Sequence, residues 1–171
     1  MKITTLTNGN LYLNGANRAG SIDTIKLPDF KQKLQEVMPL GAIGTIQVPS
    51  GFEAMEMTMS ISSYDEAIMG DLYNPYKVQL IQVRGEVMEQ SANGTTVSKQ
   101  YTFLATGRCI GVTEGEFKAH ELVKKEITFT ITSVTVKYDN VEQLNINLVT
   151  GVHRIKAVDI KGDYRDKLGL A

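Results

Sequence analysis

Between residues 55 and 61, Met55, Met57, Met59 and Ile61 alternate with Glu56, Thr58 and Ser60. A period of two sends successive side chains to opposite faces, so this segment predicts a strand with its methionines on a core. Strand signals continue along most of the chain. "GNLYLNG" (residues 9–15) and "SIDTIKLP" (residues 21–28) read as short strands bounded by glycine or proline. "YKVQLIQVRGEVMEQ" and "VSKQYTFLATGRCIGV" make a long hairpin across "ANGTT", where Asn93-Gly94 predicts a type I′ turn. In "KKEITFTITSVTVKYDN", Ile127, Phe129 and Ile131 share one face, and the alternation then slips to Val134, Val136 and Tyr138. That slip predicts a bulge near Ser133. Asp139-Asn140 turns the chain into "VEQLNINLVTGVHRIKAVDI".

One helix is expected, in "SSYDEAIMGDLYNP". Ser63 and Glu66 have capping-box spacing, so hydroxyl and carboxylate can satisfy two orphan amides reciprocally. Tyr64, Ile68 and Leu72 give one apolar stripe, and Asn74-Pro75 ends it. "DFKQKLQEVM" fits a helix through Phe30, Leu34 and Val37, and a strand through Phe30, Leu34 and Met38; periodicity alone does not decide.

"MPLGAIGTIQVPSG" (residues 38–51) carries three glycines, two prolines and no charge, so it reads as a loop. Loops are usually polar, yet this one holds Met38, Leu40, Ile43, Ile46 and Val48. An exposed apolar loop marks a contact site. The other segment that a lone domain does not explain is "DIKGDYRDKLGLA", a charged C-terminus with Tyr164, Leu168 and Leu170.

A length of 171 residues suits one domain spanning 1–171 with a full core. Charged residues make up 22% and the formal charge is -1, which lacks the basic footprint of a domain that grips nucleic acid. The single cysteine, Cys109, excludes an internal disulfide and a cysteine-based zinc site, and its apolar surroundings predict burial. No apolar segment at the start resembles a secretory signal, and no run is long enough to cross a bilayer, so folding in a cytoplasm is expected. His120 and His153 have no partner at ligand spacing and read as solvent-facing or locally hydrogen-bonded. No nucleophile elbow, phosphate loop or paired carboxylate can be singled out, so no catalytic, cofactor or metal site is expected.

The order of these pieces resembles the major tail tube protein of contractile-tailed bacteriophages, a family shared with R-type pyocin tubes. The pieces are "NLYLNG", "IKLPDFKQKLQEV", the methionine strand, "SYDEAIMGDLY", "VQLIQVRGEVME", "GEFKAHELVKKEITFTITSVTVKYDN" and "GVHRIKAVDIKGDYRDKLGL". The resemblance implies a mainly β, antiparallel sandwich or barrel-like fold with one flanking helix, and it favours the strand reading of "DFKQKLQEVM". It implies six-membered rings stacked into a hollow tube inside a contractile sheath, with a baseplate and a tail terminator at the ends. Strand edges would close across chains into one barrel around a lumen. DNA would pass through that lumen without specific binding, because a near-neutral wall adds little affinity for phosphates. Met38, Leu40, Ile43, Ile46, Val48 and Phe52 would be buried between rings, with Tyr164, Leu168 and Leu170 as further contacts and Gly41, Gly44 and Gly51 as loop hinges. The location implied is a virion tail, with the host cytoplasm before assembly. Two other readings fit the residues: the tube of a headless tailocin or other injection machine, and a monomeric ligand-binding β-barrel with the methionines lining its cavity.

Overall fold

The computed structural model describes residues 2–41, 43–63, 66–116, 118–120 and 123–169. Ten strands make one antiparallel sheet in the order β12-β11-β10-β9-β8-β7-β1-β2, with β3 and β6 on a branch. These are β1 (Lys2–Leu13), β2 (Ala16–Asn17), β3 (Ile22–Lys26), β6 (Met55–Ile61), β7 (Val78–Ser91), β8 (Thr96–Thr113), β9 (Lys125–Tyr138), β10 (Val141–Asn147), β11 (Val152–Ile155) and β12 (Val158–Asp159). The remaining pair, β4 (Gln32–Val37) and β5 (Ile46–Phe52), forms a separate two-stranded sheet. Two short helices, α1 (Glu66–Leu72) and α2 (Gly162–Leu168), complete the described residues.

The sheet forks along β9. One edge of β9 pairs with β8 from Glu126 to Tyr138 with a single residue left out, while the other is shared between β6 at Lys125 to Ile131 and β10 at Ser133 to Tyr138. Thr132 is the residue left over at the fork, since Thr106 pairs with Ser133 and Gly107 with Ile131. The slip in alternation is therefore a real bulge, with Thr132 as its extra residue. Its hydroxyl donates to the Thr106 carbonyl at 3.0 Å, and its carbonyl accepts from the Leu148 amide at 2.9 Å. The fork thus keeps its polar groups satisfied while Ile131 and Val134, on either side, both point into the core.

The methionine face of β6 is core, with Met55, Met57, Met59 and Ile61 all buried against Phe103, Cys109, Ile127, Phe129 and Ile131. Ile68, Met69 and Leu72 of α1 close that core. Tyr64 and Asp65, the two residues between Ser63 and Glu66 of the expected capping box, lie outside the described residues. Cys109 is buried as expected, and desolvation pushes its thiol pKa upward.

Several expectations need correcting. β1 is not short: it runs 12 residues, because Lys2 to Leu13 pair with Ser91 to Ile81 of β7 even where β1 itself lacks apolar alternation. The Asn93-Gly94 turn is not type I′. Only Gly94 has positive φ (79°), its amide donates to the Ser91 carbonyl at 3.0 Å, and the Ser91 amide donates to Thr95 at 2.9 Å. That is a turn closed by a left-handed glycine, the longer hairpin type. Both left-handed residues required by type I′ occur instead at Asp139 and Asn140, with φ of 54° and 61°, between the paired Tyr138 and Val141. Residues 38–51 are not loop throughout, since Ile46–Phe52 is a strand. Pro49 fits there because the hairpin has free edges, and the extra residue Ser50 makes a bulge between Lys33↔Gly51 and Leu34↔Pro49. Within "DFKQKLQEVM", Gln32–Val37 is accordingly strand. The charged C-terminus is partly helical, α2, with no buried residue among those described.

Candidate assembly surface

The β4–β5 hairpin has the register Gln32↔Phe52 to Val37↔Ile46 and no strand of the main sheet beside it. An isolated two-stranded hairpin is marginal in water, so this one needs support from elsewhere. Instead of a polar tip it presents apolar side chains. Leu40 and Ile43 have relative exposures of 108% and 105%, and Met38, Ile46 and Val48 are exposed as well. Pairing puts Val37, Ile46 and Val48 on one face and Leu34 on the other, so both faces carry apolar groups. The sequence reading missed Leu34 and Val37 as surface groups, because only the hairpin's isolation leaves β4 exposed along its whole length. Gly41 and Gly51 have φ of 88° and 129°, in the region that favours glycine, whereas Gly44 does not.

Phe52 is placed differently from the other residues of this group. It is half-buried at the root of the hairpin, its ring edge-on to His153 of β11 with centroids 5.2 Å apart. His153 is therefore packed against an aromatic ring. Lys161, just before α2, lies 5.8 Å from the Phe52 ring centroid and 5.4 Å from that of Tyr164. The structure so brings together Phe52 and Tyr164, two residues far apart in the chain. Leu168 is exposed near the end of α2, and Leu170 lies outside the described residues. Exposed Ile155, Val158 and Ile160 extend the apolar surface near α2, a feature that the sequence hid because these residues look like ordinary strand positions.

Three polar clusters brace the elements around these surfaces. Asp159 accepts from the Arg165 guanidinium and from the Lys161 amide; burial works against its charge, but these bonds hold its carboxyl below the usual range. Lys125, buried at the start of β9, pairs with Glu114, which also accepts from Tyr73 beyond α1. Those two hydrogen bonds, Lys125 first, lower the Glu114 pKa, and the same Glu114 bond raises that of Lys125. Tyr138 donates to Glu89 at 2.6 Å, which pushes the phenol up to about 12.

The β6 methionines are buried in the core. A polar cavity of about 850 Å³ lies elsewhere, walled by Asn8, Asn10, Arg84, Glu86 and Gln100. A buried methionine core, a projecting apolar hairpin and an outer edge of β1 with no described strand beside residues 2–10 leave surface of the kind that neighbouring chains cover. The sequence matches the phage tail tube protein FII family over residues 3–169, and the chain belongs to that family. Its fold is similar to a chain from the anti-feeding prophage tube-terminating cap, at 14% identity and a TM-score of 0.57, covering 75% of this chain and 87% of that one. It is also similar to chains from an extracellular contractile injection system, PVC. The sheath-tube complex in the extended state gives 12% identity and a TM-score of 0.56 over 75% and 87% of the two chains. The sheath/tube terminator gives 12% and 0.57 over 75% and 92%. No curated protein matches the chain significantly. By that family, the chain is a structural protein of a tail tube.

Proposed function

We propose that six copies of this subunit form a ring, that rings stack into a hollow tube, and that the β4–β5 hairpin carries the contact between rings. The observation behind this is the exposure of Leu40, Ile43, Met38, Ile46 and Val48 on an arm that the subunit's own core does not use. Neighbouring copies cover those side chains, and the open edge of β1 continues into the next subunit. Many copies acting together turn a modest contact into a strong one. A sheath outside the tube, a baseplate below and a terminator above are the partners, and the role is architectural, without chemistry. DNA passes through the lumen of a near-neutral protein, whose 18 basic and 19 acidic side chains leave no net positive charge to hold phosphate. The subunit waits in the host cytoplasm and ends in the tail of a virion.

Gel filtration and negative-stain microscopy test this directly. Wild-type protein forms rings or tubes, and Ile43→Asp and Ile46→Asp leave a folded subunit that does not elongate, since an unpaired carboxylate buried at each contact costs several kcal/mol. Normal tubes from both variants would remove the hairpin from the interface. The likeness to injection-system chains supports a second reading, a tube without a DNA-filled head. Purified particles with or without a capsid distinguish the two.

A further inference from the structure

We infer that the C-terminal helix clamps the apolar hairpin: Lys161, set between Phe52 and Tyr164, fixes the angle at which the hairpin leaves the free subunit. The hairpin closes its own base with the Glu53 amide donating to the Lys31 carbonyl at 2.9 Å, a bond that does not reach the main sheet. What reaches out is the Phe52 ring, edge-on to His153 and under the Lys161 ammonium. Among the described residues no carboxylate pairs with Lys161, so its charge rests on the Phe52 and Tyr164 ring faces. Lys161 is itself fixed, because its amide donates to Asp159 Oδ1 at 3.0 Å and Asp159 also binds Arg165 of α2. Arg154 of β11 lies 4.0 Å from the same carboxylate, which ties the clamp to the sheet. A cavity of about 290 Å³, walled by Gly51, Phe52, Ile146, His153, Lys161 and Tyr164, leaves the hairpin root space to rock once the clamp opens. The geometry of the clamp does not depend on what the hairpin meets in a tube; its importance for assembly rests on the reading above.

The test is amide hydrogen exchange on the full chain, kept below the concentration at which it associates. Lys161→Gln removes the cation, and Lys161→Arg keeps one over the two rings. A cation–π contact of this kind changes an opening equilibrium by roughly 2- to 30-fold. Exchange in β4 and β5 is expected to rise more than twofold in Lys161→Gln, with β7, β8 and β9 unchanged, and to return toward wild type in Lys161→Arg. A rise of twofold or less overturns the clamp, as does a rise shared equally with β7–β9 or one that Lys161→Arg fails to reverse. No tube is needed for the measurement, so it stands apart from the microscopy of the Ile43 and Ile46 variants.

Discussion

Gly107→Ala places a methyl group where β8 crosses the fork of β9. A Cβ at Gly107 would lie 2.3 Å from the Thr130 carbonyl oxygen, 2.7 Å from Ile131 Cδ1 and 3.2 Å from Ile131 Cα. Two of these three neighbours are backbone, so no rotamer change relieves the clash. Both sit just before the bulge at Thr132, where two branches of the sheet fix the position of β9. Overpacking a core costs typically 1–3 kcal/mol, and a clash with paired backbone belongs at the upper end, about 3 kcal/mol. For a chain of this size each kcal/mol lowers Tm by about 2–4 °C, which gives a drop of roughly 6–12 °C. Gly111→Ala on the same strand is the control. A Cβ there meets nothing within 4 Å and its φ is not positive, so its Tm stays close to wild type. Thermal melts of the two variants as free subunits, followed by circular dichroism, decide the matter. A Gly107→Ala midpoint within about 2 °C of wild type would show that β9 yields at the fork, and the account of a rigid branch point would fail.

Residues 31–52 are expected to exchange quickly in the free subunit and slowly in the tube, and equal protection in both states would mean that the hairpin already packs on its own domain. Ser63→Ala is expected to cost on the order of 1 kcal/mol by removing a helix cap, read as a lower midpoint; an unchanged melt would place the helix start elsewhere. Glu114→Gln should lower Tm at neutral pH. Because the folded pKa of Glu114 lies below its ordinary value, its pairing stabilises above that value and fades as pH falls through the folded one. The gap between variant and wild type therefore closes in acid, and a gap independent of pH would show that the carboxylate charge is irrelevant.

The sequence made the core of this fold legible wherever one face of a strand was buried and the other wet, as in Met55 to Ile61. The bulge at Thr132 was visible for the same reason, since a slip of one residue shifts every side chain to the other face. The N-terminal half of β1 was not legible, because polar residues such as Thr4 and Thr5 become strand only through β7, a tertiary effect that local pattern does not carry. Composition misled at Ile46–Phe52, where a proline and a glycine sit in a strand that tolerates them only because its edges are free. Of the candidate contacts, Leu40 and Ile43 could be read from apolarity in a glycine-rich segment. The pairing of Phe52 with Tyr164 could not, since it depends on α2 folding back beside β11.

The forked sheet also bears on how force would travel through the subunit. The arm is spliced into the strand pair β3–β6, with only Glu53 and Ala54 between β5 and β6, and β6 is zipped to one branch of β9 over seven residue pairs. A pull on the hairpin tip therefore drags β6 along its own length and loads that ladder together with the methionine core behind it. The β10–β12 branch leaves β9 on the far side of Thr132 and meets the arm at its root, through the contact of Phe52 with His153. Under the proposed assembly, in which the arm meets the next ring, the tensile strength of the tube would depend on the hold of β6 on β9 as well as on the grip of the arms.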